Sequence, residues 1–132
     1  MPSFGERSEL ALSTVDASLS LVLREVVKHF DFAVLEGHRG KEEQNAAFAS
    51  GLSQKQWPDG THNQLPSDAV DVAPWPIDWE DVQSFIYLAG FIVGIGASMG
   101  VELRSGADWD GDRKMSDESF RDFGHVEVVR RG

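Results

Sequence analysis

The longest uncharged stretch of the sequence, residues 82–101, is the feature that most limits how the chain can fold. Its length raises the question of a membrane-spanning helix, which needs about 20 mostly apolar residues. Polar side chains and several glycines interrupt the stretch, so its purely apolar part is too short to span a bilayer. We therefore predict a long core helix at residues 78–99, with Asp78 as a possible N-cap and Gly100 as its C-terminal stop.

Helix and strand patterns alternate through the rest of the chain. Apolar residues at helical spacing predict a helix at residues 16–30 with Asp16 as its N-cap, and residues 41–50 are predicted as a second helix that ends at Gly51. Short apolar or alternating runs predict strands at residues 32–36, 69–73, 101–104 and 123–129, and polar segments predict loops at residues 52–67 and 105–119. This order predicts a small α+β fold, a single domain over residues 1–132, with a mostly antiparallel central sheet flanked by helices.

The charge balance limits the classes of partner. The chain has 22 Asp and Glu against 12 Lys and Arg, a formal net charge of -10. This balance argues against nucleic-acid binding, because phosphate contacts need a basic surface. It also argues against electrostatic attraction to an anionic cell wall, so a wall enzyme would have to depend on its cleft.

Cysteine is absent, which excludes disulfides and thiolate chemistry and leaves His and carboxylate side chains as candidate metal ligands. The N-terminal sequence MPSFGERSELALS lacks a basic start followed by an apolar run, so it predicts no signal peptide. We expect a monomer that does not insert into membranes.

Two short segments, THNQLPSDAVDV and FRDFGHVEV, carry the candidate chemistry. Asp71 lies in an apolar strand, where a carboxylate without a partner is costly and a metal ion would supply one. The alternative is that Asp71 points to solvent from an edge strand. His125 lies on the face of the last strand opposite Val126, although a lone histidine of this kind is more often structural or merely exposed. Together with His62 these residues could supply three zinc ligands and leave the fourth position for water.

The same stretches resemble a family of zinc peptidases that includes D-alanyl-D-alanine carboxypeptidases and the L-alanyl-D-glutamate endopeptidases of phage endolysins. The family pattern has a Ser-x-His segment, an Ala-x-Asp strand and a late acid three residues before a final His. Here the corresponding segments are GTHN, AVD and DFGH. The segments VLEGHRGKEEQNAAFASGLS, PSDAVDVAPWPIDW and LRSGADWDGD are also similar to family segments, so the resemblance covers roughly residues 32–129.

The resemblance implies metal-assisted amide hydrolysis in a surface cleft. His62, Asp71 and His125 would hold the zinc ion, which lowers the pKa of its water and polarises the scissile carbonyl. Asp122 would accept the proton of the attacking water and pass it to the leaving amine.

Further site residues are implied by the same resemblance. Arg39 would stabilise the developing oxyanion or hold a substrate carboxylate, such as that of D-Glu. Gln44 would bind substrate or support Arg39.

Some positions depart from the family pattern. Gly60 occupies the position of the family's serine, and the neighbouring Thr61 could supply a hydroxyl to the substrate instead. In carboxypeptidases of the family that hydroxyl helps hold the terminal carboxylate, so Gly60 favours an endopeptidase. The interval between His62 and Asp71 is longer than the pattern, which makes Asp68 a rival ligand. Asp71 is preferred because it fits the Ala-x-Asp strand.

We therefore predict a zinc-dependent, endolysin-like peptidase that cuts peptidoglycan stem peptides, with the L-alanyl-D-glutamate bond as the favoured target. It would accumulate in the host cytoplasm and reach the wall with the help of a holin-like protein. The alternatives are a D-Ala-D-Ala carboxypeptidase or dipeptidase, and a non-catalytic wall-binding or virion structural domain of the same fold. Asp122 argues against a pure binding domain, which has no need of that acid.

A second candidate ion site lies in the segment ADWDGDR. Asp108, Asp110 and Asp112 alternate there like the first part of a calcium loop, but the remaining EF-hand positions do not fit. A solvated acidic turn is the favoured interpretation, and a weak calcium site is the alternative.

Overall fold

Helices and antiparallel strands alternate along the computed structural model, which describes residues 2–108, 111 and 122–130. Within those residues the elements are α1 Glu6–Leu12, α2 Ala17–Val27, β1 Phe32–Glu36, α3 Lys41–Ala49, β2 Ala69–Pro74, α4 Val82–Ser98, β3 Leu103–Gly106 and β4 Asp122–Val128. One turn of 3-10 helix, Thr61–Asn63, interrupts the loop between α3 and β2.

The four strands of the described residues form one sheet in the order β1-β2-β4-β3, and every neighbouring pair is antiparallel. The predicted α+β class with an antiparallel sheet is therefore confirmed. The late strand β4 lies between β2 and β3, so segments distant in sequence become neighbours at the sheet centre. In particular, Asp71 of β2 lies directly opposite His125 of β4.

The two faces of the sheet have different roles. Helices α2 and α4 pack on one face, where the fully buried core includes residues of both helices and of three strands: Leu19, Val22, Leu23, Val26, Leu88, Ile92, Val34, Val70, Val72 and Val126. Since side chains alternate along a strand, Asp71, His125 and Glu127 lie on the opposite face. Burial of the valines on one face thus fixes the strand register, and with it the positions of the polar side chains on the other face.

The N-caps of α2 and α4 can be compared with the predicted ones. Asp16 caps α2 as predicted, because its carboxylate accepts hydrogen bonds from the backbone N–H groups of Ser18 and Leu19 at 3.0 and 3.2 Å. The predicted cap of α4 at Asp78 is wrong. The chain forms a turn from Asp78 to Asp81, and Asp81 caps the helix by accepting from Ser84 N–H at 3.2 Å.

Helix α1 was not predicted from the sequence. It has only 7 residues, too few to show a clear apolar period, and Ser8 and Leu12 are its buried residues. The Ser8 hydroxyl accepts a hydrogen bond from Val34 N–H of β1 at 3.0 Å, which docks the helix on the edge strand. The predicted buried helix is present as α4, and no helix among the described residues is long and apolar enough to cross a membrane.

The later strands are shifted from their predicted positions. β3 begins and ends two residues after the predicted 101–104, so Ser105 and Gly106 belong to the strand rather than to the predicted loop. Asp110 and Asp112 of the possible calcium site lie outside the described residues, and that site stays a prediction.

The Asp16→Ala variant tests the cap of α2. Loss of the two accepted hydrogen bonds is expected to lower the free energy of unfolding by about 1 kcal/mol at pH 7, measured by urea denaturation. Burial raises the pKa of Asp16, but the hydrogen bonds from Ser18 and Leu19 and the ion pair with Arg130 outweigh it, so the pKa is lowered. Because the folded pKa is lowered, the stabilisation is present above the unfolded pKa and is lost as the pH falls.

The exposed Asp31, which precedes β1, provides the matched control. Asp31→Ala is expected to leave the free energy of unfolding close to that of the parent. An Asp16→Ala chain as stable as the Asp31→Ala chain at pH 7 would contradict the assigned cap.

Candidate metal centre

Three side chains from separate parts of the chain bring their ligand atoms together. His62 comes from the 3-10 turn, Asp71 from the middle of β2 and His125 from β4. The distance from Asp71 Oδ1 to His62 Nε2 is 3.4 Å and to His125 Nδ1 is 3.7 Å. All three ligand atoms lie within 4.8 Å of one another. Ligands of a tetrahedral zinc ion lie about 3.3–3.5 Å apart, so the group could hold one small cation.

His62 is oriented by the backbone. Its Nδ1–H donates to the carbonyl of Gly37 at 2.7 Å, which leaves the lone pair of Nε2 directed at Asp71. Among the described residues, His62 Nε2 and Asp71 Oδ1 are buried and have no hydrogen-bond partner. Unpaired buried polar atoms are costly, and a bound cation would satisfy both of them. The residues present therefore fit a metal ion.

His125 is oriented by a side chain. Its Nε2 lies 2.7 Å from Glu127 Oε1, so Nε2–H donates to the carboxylate and Nδ1 faces Asp71. Burial lowers the pKa of His125, but Asp71 and Glu127 outweigh it and raise the pKa to about 9. Two carboxylates beside one imidazole thus favour a positive charge here, which a metal ion can supply in place of the proton.

The two carboxylates are ionised by their neighbours. Burial raises the pKa of Asp71, yet the neighbouring imidazoles of His125 and His62 hold the pKa well below its ordinary range. Burial also raises the pKa of Glu127, but hydrogen bonds from His125 and Arg104 lower it to about 2. Ionised carboxylate is the form that ligates metal ions or accepts from a ligand histidine.

Asp122 is the first residue of β4 and lines the same cleft as His125. Burial raises the pKa of Asp122 and the negative charge of Asp71 raises it further, against the lowering effect of the nearby cations. A raised carboxyl pKa suits a group that takes up and releases a proton near neutral pH. Gly106 of β3 permits this placement, because a Cβ there would lie 2.1 Å from the Asp122 carbonyl oxygen.

Arg39 holds the outer oxygen of Asp71. Its Nη2 donates to Asp71 Oδ2 at 3.2 Å, while Nε donates to Glu36 at 2.7 Å and Nη1 to Gln44 at 3.1 Å. The guanidinium is mostly buried and lines the cleft. Since Oδ2 is occupied by Arg39, Asp71 directs only Oδ1 toward the two histidines. Arg39 therefore orients the candidate ligand Asp71 and also brings positive charge to the cleft.

Gln44 is buried and uses both ends of its amide within the protein. Its Oε1 accepts from Arg39 and from Asn63, each at 3.1 Å. Its Nε2 donates to Ser53 Oγ at 2.9 Å and to the carbonyl of Lys55 at 2.6 Å. Of the two roles expected for Gln44, the geometry favours support of Arg39, although the residue also lines the cleft.

Gly60 and Thr61 enter the cleft from the loop before β2. A Cβ at Gly60 would lie 2.8 Å from both Asn63 Oδ1 and Gln44 Oε1, so the hydrogen-bond network around Arg39 occupies the space of a serine side chain. Thr61 Oγ1 lies 3.5 Å from His125 Nε2 and 3.4 Å from Glu127 Oε1. Its hydroxyl therefore lies beside His125, a candidate ligand, as well as on the cleft wall.

Asp68, the rival ligand, is excluded from the centre. It forms an ion pair with Arg130 at 2.7 Å and is not part of the three-ligand group.

Glu127 and Arg104 were not predicted as site residues. Period-2 alternation placed Glu127 beside His125, but its pairing with Arg104 at 2.8 Å depends on the register of β3, which the sequence pattern does not reveal.

The antiparallel α+β fold carries its candidate metal centre in a cleft of about 470 Å³. The model of the phage L-alanyl-D-glutamate peptidase family matches residues 2–129. The L-alanyl-D-glutamate peptidase of Escherichia phage T5 is 34% identical over an alignment of 134 positions, and this alignment covers 96% of this chain and 97% of that protein. The chain therefore belongs to the phage L-alanyl-D-glutamate peptidase family, as its sequence motifs predicted.

A solved structure gives the same result for the fold. The crystal structure of the Serratia marcescens L-Ala D-Glu endopeptidase ChiX matches with a TM-score of 0.76 and 22% identity. The match covers 97% of this chain and 91% of ChiX. Like the family match, it extends over the N-terminal helices, which the sequence motifs did not include.

Zinc is expected to stabilise the folded chain through the unpaired atoms of His62 and Asp71. A ligand that binds only the folded state at 100 times its Kd adds about 2.7 kcal/mol, so zinc should raise the Tm measured by calorimetry. His62→Ala is expected to abolish most of this rise.

The exposed His29 is the matched control for that measurement. His29→Ala should show the zinc-dependent rise of the parent. A His62→Ala chain that zinc stabilises as much as the His29→Ala chain would contradict the assigned ligand.

Gly60→Ala tests the crowded network around Arg39. The added methyl group must displace Gln44 or Asn63, so the Arg39 contact with Asp71 should weaken and zinc affinity should fall several-fold. Gly90→Ala in α4 is the control, because a Cβ there has open space. Equal zinc affinity in the two variants, measured by competition with a chromophoric chelator, would show that the network does not reach the ligands.

Proposed function

We propose that the protein hydrolyses the amide bond between L-Ala and D-Glu in peptidoglycan stem peptides, with one zinc ion held by His62, Asp71 and His125. Membership of the phage L-alanyl-D-glutamate peptidase family supports the reaction. The observation that carries the metal-dependent form is the convergence of the three ligand atoms, two of them buried without a hydrogen-bond partner among the described residues.

The choice of zinc follows from the donor set. Two imidazoles and one carboxylate are typical of catalytic zinc sites, and three protein ligands leave one position for water or substrate. When bound, zinc lowers the pKa of water to about 7 and polarises a carbonyl oxygen. The burial of His62 and His125 supports a site that is formed before the substrate binds.

Asp122 acts as the proton carrier in this proposal. Its carboxylate accepts a proton from the attacking water and returns it to the nitrogen of the D-Glu residue as the amide bond breaks. Burial and the charge of Asp71 raise the pKa of Asp122, which favours holding the proton between the two steps.

Arg39 has two tasks in the proposed reaction. It fixes Asp71 through Oδ2, and its positive charge on the cleft wall stabilises negative charge that develops on the scissile carbonyl oxygen. Gln44 keeps the guanidinium in place from behind. Thr61 presents its hydroxyl on the same wall and contacts the substrate peptide.

An endopeptidase is favoured over a carboxypeptidase by the environment of Gly60. The hydroxyl that would hold a terminal carboxylate is missing there, and the space for it is occupied by Asn63 and Gln44. Release of the enzyme from the host cytoplasm by a holin-like protein, the monomeric state and the absence of nucleic-acid partners stay predictions from the sequence.

Digestion of purified peptidoglycan tests the proposal directly. The zinc-loaded protein is expected to release new D-Glu amino termini, identified by mass spectrometry, and a chelator should stop their release. Asp122→Asn should lower the rate by about 10²–10⁴-fold, the usual contribution of a general acid–base group. Asp31→Asn, which removes the same charge from an exposed position, should digest at the parental rate.

Each other outcome has a definite meaning. Free D-Ala in place of D-Glu amino termini would identify a carboxypeptidase. Binding to the wall without any new terminus would identify a non-catalytic domain. Chelator-resistant digestion would remove the metal from the mechanism, and parental activity in Asp122→Asn would remove Asp122.

A further inference from the structure

Glu127 is a buried acid for which the proposed reaction has no task. Its side chain is only 6% exposed and lies on the polar face of the sheet, two residues after His125. Both carboxylate oxygens have partners. Oε1 accepts from His125 Nε2 at 2.7 Å, and Oε2 accepts from Arg104 Nη2 at 2.8 Å.

The sheet itself builds this arrangement. In the β3–β4 pairing, Arg104 lies directly opposite Glu127, so the two side chains meet across the strands. Burial of an ionised carboxylate is costly without partners of opposite charge or hydrogen bonds. Arg104 provides the charge, and the second oxygen remains directed at the imidazole.

We infer that Glu127 is a positioning residue for the metal ligand His125, and that Arg104 holds Glu127 in place. The hydrogen bond to Glu127 keeps the proton on Nε2 and fixes the plane of the ring, so that the Nδ1 lone pair faces Asp71 Oδ1. An ionised acceptor also makes the imidazole a stronger donor to a cation. The inference rests on the proposed metal site.

The two ligand histidines differ in how they are oriented. His62 donates to a neutral backbone carbonyl, that of Gly37, whereas His125 donates to an ionised side chain. The centre is therefore asymmetric, with the stronger polarisation on the His125 side. The orientation of His125 can be changed by mutation without altering the backbone, which makes the inference testable.

Zinc affinity is the first measurement. Competition with a chromophoric chelator is expected to give a Kd about 10-fold higher for Glu127→Gln than for the parent, and up to about 100-fold higher for Glu127→Ala, the range for loss of a ligand's hydrogen-bond partner. The glutamine can still accept the hydrogen bond but lacks the charge. The exposed Glu80→Gln is the matched control and should keep the parental Kd.

Two further measurements separate positioning from a purely structural role. The visible spectrum of the cobalt-substituted protein should change in Glu127→Gln, because the ligand field depends on the orientation of His125. The Tm of the zinc-free variant reports the fold alone. Glu127→Gln leaves Arg104 without its carboxylate partner, and the double variant Glu127→Gln with Arg104→Gln removes that arginine as well. The double variant should regain the parental Tm, whereas its zinc affinity should stay as low as that of Glu127→Gln.

The outcomes distinguish this inference from the proposed function. If the parent binds zinc and Glu127→Gln binds it within twofold with the parental cobalt spectrum, Glu127 does not position His125 and the inference is overturned. Recovery of parental zinc affinity in the double variant would also overturn it, since the defect would then come from Arg104. If the parent binds no zinc, the metal site itself is wrong and the inference falls with it.

Discussion

The pairing of β2 with β4 is the constraint on which the rest of the structure depends. It places Asp71 opposite His125 on one face and Val70 opposite Val126 on the other. A slip of one residue would turn every side chain of β4 to the other face, exposing valines and burying the histidine in the core. The hydrophobic effect on the helix-covered face therefore fixes the geometry of the candidate metal centre.

The N-terminal segment extends this support to the third ligand. His62 is oriented by the Gly37 carbonyl, and Gly37 packs so closely on the link between α1 and α2 that a Cβ would lie 2.5 Å from Thr14 Oγ1. Thr14 in turn accepts from His38 N–H at 2.9 Å and, through its carbonyl, from Ser67 N–H at 2.7 Å. The segment that contains α1 thus helps to position His62, in agreement with a family match that begins at residue 2.

The sequence predicted features that leave a local pattern, but not contacts between segments that are distant in the sequence. Apolar periodicity predicted α2, α4 and the strand that carries Asp71, because burial on one face leaves a local pattern. The docking of α1 and the pairing of Glu127 with Arg104 depend on register between distant segments, which leaves no such pattern. The contacts of Arg39 inside the protein could not be predicted either. Its hydrogen bonds to Glu36 and Asp71 join residues that the fold alone brings together.

The distribution of acidic groups links the fold to the reaction. Asp122 and Glu127 line the same cleft, and the charge of Asp71 acts on Asp122, so mutual repulsion among these acids would oppose folding if no cation were present. Arg39 and Arg104 offset part of that charge from the two sides, and a divalent ion between the histidines would offset the remainder. The same acidity, summed over a chain of net charge -10, gives no long-range attraction to an anionic wall. Recognition of the substrate would therefore depend on short-range contacts inside the cleft, where Arg39 and Arg104 supply positive charge.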